Sequence, residues 1–266
     1  GHFLEHFHRC IYGGIYDPSS RFSDHHGFRS DVFDALKKIR TPILRWPGGC
    51  YCDAYHWKNG IGPRDERPIT LDYAWDQEET NQFGTDEFVE VCHAVGAEPY
   101  INVSVGTGTA EEAAQWVEYC NRKGSTSYAQ LREKNGYPKP HNVKFWGVGN
   151  EIHGDWEIGG PMTGAEYAKV FKEYAKLMRR VDPSIKLIAV GHGRDPQFNF
   201  QFLRDAGFVT DYISIHSYSY RKESLPDYYG AVASPTYAEQ NLVSLISAIN
   251  PAMRGSQGEK KRIEIS

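Results

Sequence analysis

No stretch of this chain approaches the roughly 20 consecutive apolar residues that a helix needs to cross a bilayer. Its longest apolar runs, Lys186 to Gly191 and Asp211 to Ile215, are strand-sized. Nothing reads as a membrane span. A basic cluster is also missing: 30 Lys and Arg face 34 Asp and Glu, and the net charge is -4. Nucleic acid is therefore excluded as an expected partner, because no segment could neutralise a phosphate backbone. Cysteine is sparse and odd in number. Cys10, Cys50, Cys52, Cys92 and Cys120 form no evident disulfide framework and suit a reducing, cytoplasmic compartment. Cys50-Tyr51-Cys52 has no second pair at zinc-ribbon spacing. His2, His6, His8, His25 and His26 come with no H-E-x-x-H motif or acidic ligand cluster, so no metal is expected. Gly106-Thr107-Gly108-Thr109 lacks the third glycine and the lysine of a phosphate loop, which leaves no cofactor in view.

What is present is the material of a globular core: 40% hydrophobic and 14% aromatic residues against 24% charged. Apolar runs alternate with amphipathic stretches. Strands are expected at Phe3 to His6, Pro42 to Trp46, Pro99 to Val105, Val143 to Val148, Lys186 to Val190, Tyr212 to His216 and Arg262 to Ile265. Helices are expected at Ser30 to Ile39, Thr85 to Val95, Ala110 to Cys120, Gly164 to Val181, Gln197 to Asp205 and Tyr237 to Ile249. Each connection is too long for a hairpin, so parallel pairing through crossover helices is implied. Two α/β folds compete, a (β/α)8 barrel and a doubly wound sheet. The barrel is favoured because polar and aromatic residues follow strand ends all along the chain, whereas an open sheet would gather them at one switch point. The stretch from Gly48 to Asn81 reads as a long aromatic loop at the barrel mouth. The chain begins inside an apolar pattern and stops at Ser266, in what reads as a strand entering a sheet. The expectation is one domain, residues 1–266, a barrel truncated within strand seven.

The sharpest chemical signal is Trp146-Gly147-Val148-Gly149-Asn150-Glu151, a strand ending in an amide and a carboxylate. At a barrel rim a partly desolvated Glu has a raised pKa and suits general acid/base work, though an exposed Glu opening a loop has the same local sequence. Glu5 ends the first strand, either as an acceptor for hydroxyls or as a surface partner of Arg9. Arg45, before the turn Pro47-Gly48-Gly49-Cys50, could orient a carboxylate or form an interior ion pair. No His and Asp signature marks Cys50 as a nucleophile. His216 and Tyr218 end the sixth strand, where Tyr could line a pocket or cap the barrel.

These segments together resemble glycoside hydrolase family 51, whose characterised members are mainly α-L-arabinofuranosidases. The resemblance rests on Gly1-His2-Phe3-Leu4-Glu5-His6, Arg45-Trp46-Pro47-Gly48-Gly49-Cys50, Tyr55-His56-Trp57, Asn81-Gln82-Phe83-Gly84-Thr85, Gly149-Asn150-Glu151 and Ile215-His216-Ser217-Tyr218, in that order. It implies a (β/α)8 barrel with an appended β-sandwich and a retaining mechanism without cofactor. The substrates would be arabinose-containing oligosaccharides of the arabinan and arabinoxylan kind. By the resemblance Glu151 is the acid/base. Glu5, Asn150 and Tyr218 hold the arabinofuranosyl ring, Trp75 walls it, and Arg45 pairs with the nucleophile. Position 50 is Asn in many relatives and Cys in others, which makes Cys50 a variant at a sugar-contacting position. The family's nucleophile follows the seventh strand in an Asp-Glu-Trp segment, so it, the eighth unit and the sandwich are expected to lie outside residues 1–266. Glu264 precedes that strand's end and is not expected to replace the nucleophile. The resemblance also implies an intracellular, hexameric parent. Two other readings stay open: an endo-acting β-glucanase or xylanase on the same barrel, and a sugar-binding remnant without hydrolysis.

Overall fold

A computed structural model describes residues 1–218, 228–254 and 262–266. β1 (His2–Phe3), α1 (Ser30–Lys38) and β2 (Ile43–Trp46) open the chain. A long excursion then carries a hairpin of β3 (Thr70–Asp72) and β4 (Gln77–Glu79) before α2 (Thr85–Val95). β5 (Glu98–Val103), α3 (Ala110–Asn121), α4 (Ser127–Lys134) and β6 (Phe145–Val148) follow, then α5 (Gly164–Val181), β7 (Lys186–Val190), α6 (Pro196–Ala206) and β8 (Tyr212–Ser214). The chain closes with α7 (Tyr228–Ala233), α8 (Pro235–Met253) and β9 (Glu264–Ile265).

Strands β1, β2, β5, β6, β7, β8 and β9 form one sheet in that order, with every pair parallel. Order across the sheet follows order along the chain, so the winding never reverses and a doubly wound sheet is excluded. This is the (β/α)8 barrel carried as far as its seventh strand.

Register and alternation sort the side chains into two layers. Trp46, Ile101, Trp146 and Leu187 are matched across β2, β5, β6 and β7 and are fully buried beneath the helices. Arg45 and Tyr100, one residue earlier, face the barrel interior. That interior is tight. A Cβ on Gly147 would fall 1.9 Å from Asn102 Oδ1, so the polar filling at this level requires glycine.

Trp116 of α3 centres the helix layer, with Trp57, Trp46 and Trp146 at ring distances of 5.8, 5.9 and 6.0 Å. Each indole N–H is satisfied: Trp116 donates to Thr85 Oγ1, Trp57 to Glu112 O, Trp146 to Val143 O and Trp46 to His6 Nε2. On α5 the buried residues Tyr167, Phe171, Tyr174 and Met178 keep one face inward, and a Thr163/Glu166 capping box starts the helix. Trp116→Ala is expected to destabilise the fold by about 3–5 kcal/mol, read from the denaturation midpoint. A loss below about 1 kcal/mol would mean that the indole cluster does not anchor the helix layer.

Several expected boundaries move. The Gly48 to Asn81 stretch is not simply a loop, because it holds the β3–β4 hairpin and short 3-10 turns. α4 was not expected, and it is short: only Ala129 and Arg132 are fully buried, with Tyr128 and Leu131 packed partly buried against the core. Arg132 is fully buried and caps the carbonyls of Tyr119, Arg122 and Tyr137, a role that charge patterning does not reveal. β1 covers only His2–Phe3, yet Leu4 and His6 N–H still bond to Arg45 and Pro47 carbonyls, so the path continues strand-like. β8 ends at Ser214 because Ile215 and His216 leave the ladder for the rim. Lys260 and Lys261, which precede the last expected strand, lie outside the described residues.

Candidate active site

Each rim residue is placed by the end of its own strand. Glu5 follows β1, Arg45 is in β2, Cys50 is in the turn after β2, Asn150 and Glu151 follow β6, and His216 and Tyr218 follow β8. Trp75 arrives on the tip of the β3–β4 hairpin. That tip is pinned where Asp72 Oδ1 accepts from Ala74 and Trp75 N–H, and where Gln77 Nε2 donates to His6 O at 3.1 Å. Below it His6, buried, accepts from Trp46 on Nε2 and donates from Nδ1 to Glu79 at 2.6 Å. Glu5, Arg45, Cys50, Trp75, Asn150, Glu151 and Tyr218 all line one cavity of about 640 Å³.

Glu5 is buried and does not pair with Arg9. Its Oε1 accepts from Gly49 N at 2.8 Å and Tyr51 N at 3.2 Å. Burial raises its pKa against the pull of those amides, Trp75 and Arg45. A Cβ at Gly48 would lie 2.5 Å from Glu5 Cγ, so the Pro-Gly-Gly turn must be bare there. Arg45 is not engaged in an ion pair among the described residues. Its Nη2 donates to Asn150 Oδ1 at 2.8 Å, and its guanidinium lies over Phe3 and Tyr100. Cys50 is half-buried, and burial first, then the facing Glu157 carboxylate, hold its thiol protonated with a strongly raised pKa, unsuited to nucleophilic attack.

The Asn150-Glu151 corner is held from below by Asp53, a fully buried residue that composition gave no reason to select. Its two carboxyl oxygens accept from Val105 N and Asn150 N, each at 2.8 Å, while burial pushes its pKa up to about 8. Glu151 itself sits at φ +37°, in the left-handed region that non-glycine residues rarely occupy. Such strain costs on the order of 1–3 kcal/mol and concentrates at functional sites.

Glu151 departs from expectation in its ionisation. A raised pKa was expected from desolvation. The hydrogen bond from His216 Nδ1 to Oε1 at 2.6 Å outweighs burial, and Trp156 Nε1 donates to Oε2 at 3.0 Å. The carboxyl is held below its ordinary pKa, with the His216 hydrogen bond as the largest cause. Beside it His153 and His192 stack at 3.9 Å, and burial lowers His153 to about 4, so this ring is neutral near pH 7. Together with Trp156, 61% exposed, these rings line a second lobe of about 460 Å³ that shares Glu151, His216 and Tyr218 with the first.

Sequence reasoning also missed Glu157, buried behind Cys50 and Asn150. No local pattern marks it, because its burial depends on how the loop folds back. Glu264 points elsewhere: it lines a separate groove with Arg262 and Ile263 and is absent from the cavity lining. Ser266, directly after β9, does line the cavity. Among the described residues no cluster of three or more His, Cys, Asp or Glu could hold a metal, and no helix is long and apolar enough to cross a membrane.

Glu151 thus stands, in a strained backbone conformation, where the two lobes meet under an aromatic wall. The family described as "Alpha-L-arabinofuranosidase 1 domain" matches residues 35–233. "Alpha-L-arabinofuranosidase C" of Emericella nidulans is 43% identical over 262 residues, covering 94% of this chain and 51% of that protein. "Intracellular exo-alpha-(1->5)-L-arabinofuranosidase" of Acetivibrio thermocellus is 41% identical over 229 residues, or 84% of this chain and 45% of that protein. The solved Thermotoga maritima α-L-arabinofuranosidase in complex with arabinose superposes with a TM-score of 0.92 at 51% identity, over 100% of this chain and 53% of that one. The chain thus spans about half the length of the curated relatives it matches. With that extent of matching sequence and this agreement of fold, the chain belongs to the α-L-arabinofuranosidases of glycoside hydrolase family 51.

Proposed function

We propose that the protein is a retaining, exo-acting α-L-arabinofuranosidase that removes terminal arabinofuranosyl groups from arabinan and arabinoxylan fragments, with Glu151 as its acid/base. The observation that carries this reading is the position of Glu151 between the two lobes, strained and hydrogen-bonded on both oxygens. The arabinofuranosyl ring occupies the larger lobe, against Trp75, Tyr218, Glu5 and Asn150. The leaving group lies against Trp156, His153 and His192.

In the first step a second carboxylate bonds to the anomeric carbon as the glycosidic C–O bond breaks, and Glu151 gives its proton to the departing oxygen. In the second, Glu151 takes a proton from water as the water oxygen attacks the same carbon and expels the carboxylate. The second carboxylate must stand about 5 to 5.5 Å from Glu151. Neither Glu5 nor Glu157 suits this, since both are buried and already bonded to amide N–H groups. The positions directly after β9 do, because Ser266 already faces the cavity, and Arg45 then lies ready to hold the arriving carboxylate ionised. Residues 1–266 alone are accordingly expected to bind arabinose without hydrolysing its glycosides. The eighth unit and a β-sandwich would complete the parent, a cytoplasmic enzyme and a hexamer.

Digestion of branched arabinan by the product of the complete gene tests the reading. Free arabinose as the first product supports it, and a ladder of oligosaccharides would transfer the site to an endo-acting glycanase.

The His216 contact makes a pH prediction. A general acid works only while protonated, so the basic limb of kcat/KM against pH reports the pKa of Glu151. His216 lowers that pKa. His216→Phe removes its hydrogen bond, raises the Glu151 pKa and moves the basic limb to higher pH. A limb that stayed in place or moved down would show that His216 does not set the acid.

A further inference from the structure

We propose that Glu157 is a positioning residue of this site, whose carboxylate fixes the Asn150 amide in the one orientation that presents an N–H to the sugar. The inference rests on the arabinofuranosidase reading, in which Asn150 touches the ring.

Asn150 is clamped from both ends. Its Oδ1 accepts from Arg45 Nη2 at 2.8 Å, and its Nδ2 donates to Glu157 Oε1 at 2.7 Å. A flipped amide would set oxygen against carboxylate and N–H against guanidinium, two repulsive contacts in place of two attractive ones. The second N–H of Nδ2 takes no partner among the described residues, and Asn150, 2% exposed, contributes to the cavity wall. That N–H is the donor left for a hydroxyl.

Glu157 is an expensive way to fill space. It is 4% exposed and its Oε2 is buried with no hydrogen-bond partner, with only the weak donor Cys50 nearby. A buried carboxylate with an unsatisfied oxygen costs stability that an apolar side chain would not. Burial raises its pKa, and Glu151 and Glu5 add to this, while Cys50 and Asn150 pull it down. Keeping such a group beside Asn150 is consistent with a role in setting that amide, since the rest of the loop is held by backbone bonds and by Asp53.

The test is a double-mutant cycle on the complete gene product, with kcat/KM for an aryl arabinofuranoside as the readout. Glu157→Ala is expected to lose about 100-fold, as misplacement of a substrate-contacting group does. Glu157→Gln keeps an acceptor for Asn150 and is expected to recover most of that loss. Asn150→Ala combined with Glu157→Ala should lose no more than Asn150→Ala alone, because both act through one contact. Losses that multiply in the double variant would overturn the proposal, as would wild-type kcat/KM in Glu157→Ala. Should Glu157→Ala fail to fold, Glu157→Met fills the same space without an acceptor and enters the same cycle. Glu151→Ala is measured alongside, with turnover of arabinan, whose leaving group needs the acid, as its readout. If it is fully active, the arabinofuranosidase reading itself falls, whereas if it is impaired while the Glu157 variants match wild type, only this inference falls.

Discussion

Glu151→Ala in the complete gene product is expected to lower the turnover of arabinan by about 10²–10⁴-fold, the span that general acid/base catalysis supplies. The loss should depend on the leaving group in a particular way. An alkoxide leaves poorly without a proton, so the first step on arabinan is crippled. A nitrophenolate leaves without help, so kcat/KM for an activated aryl arabinofuranoside should change little. Its kcat should still fall, because removal of the sugar from the second carboxylate needs Glu151 as a base toward water. A small anion such as azide needs no base and should restore that kcat. Unchanged turnover of both substrates would remove Glu151 from the mechanism, whatever its strain and its two hydrogen bonds suggest.

Replacement of Arg45 should be the next most damaging change. Its guanidinium holds Asn150 Oδ1, sits over Phe3 and Tyr100, and lowers the pKa of Glu5 in a rim that also carries Glu151 and Glu157. Arg45→Met removes the only Arg or Lys side chain among the described residues that lines the larger lobe, which also carries Glu5 and Glu151. A loss of about 10²–10³ in kcat/KM is expected, comparable with removal of one preorganised electrostatic group. Arg45→Lys should be nearly as poor. A lysine ammonium is a single point charge and cannot reach the amide and a carboxylate together as the planar fork does. A lysine variant close to wild type would mean that only net charge matters here.

Much of this architecture was legible because its causes are local. Leu44, Trp46, Ile101, Val103, Trp146 and Val148 are apolar at alternate positions, and Tyr167, Phe171, Tyr174 and Met178 recur at helical spacing. Such patterns survive in one dimension. α4 was hidden because it is only eight residues long and has an arginine on its inward face, and the β3–β4 hairpin because its strands are largely polar and three residues long. The site divides in the same way. Glu151, Asn150, Arg45 and Glu5 could be placed on the rim from strand ends alone. The ionisation of Glu151 could not, since it depends on His216, 65 positions away and brought near only when β6 and β8 take their places in the sheet. Asp53 was invisible for a related reason: a buried carboxylate is recognised by the N–H groups that surround it, and those come from separate loops. Glu157 meets its donor Asn150 only once the loop they share folds back on itself.

The most direct test of the central claim is to follow the first product by proton NMR, while the complete gene product cleaves an aryl α-L-arabinofuranoside. Two displacements at one carbon require that arabinose first appears as the α-furanose, before mutarotation spreads the signal. Initial release of the β-anomer would mean a single displacement by water, and the account of Glu151 acting with a nucleophilic carboxylate just beyond β9 would be wrong.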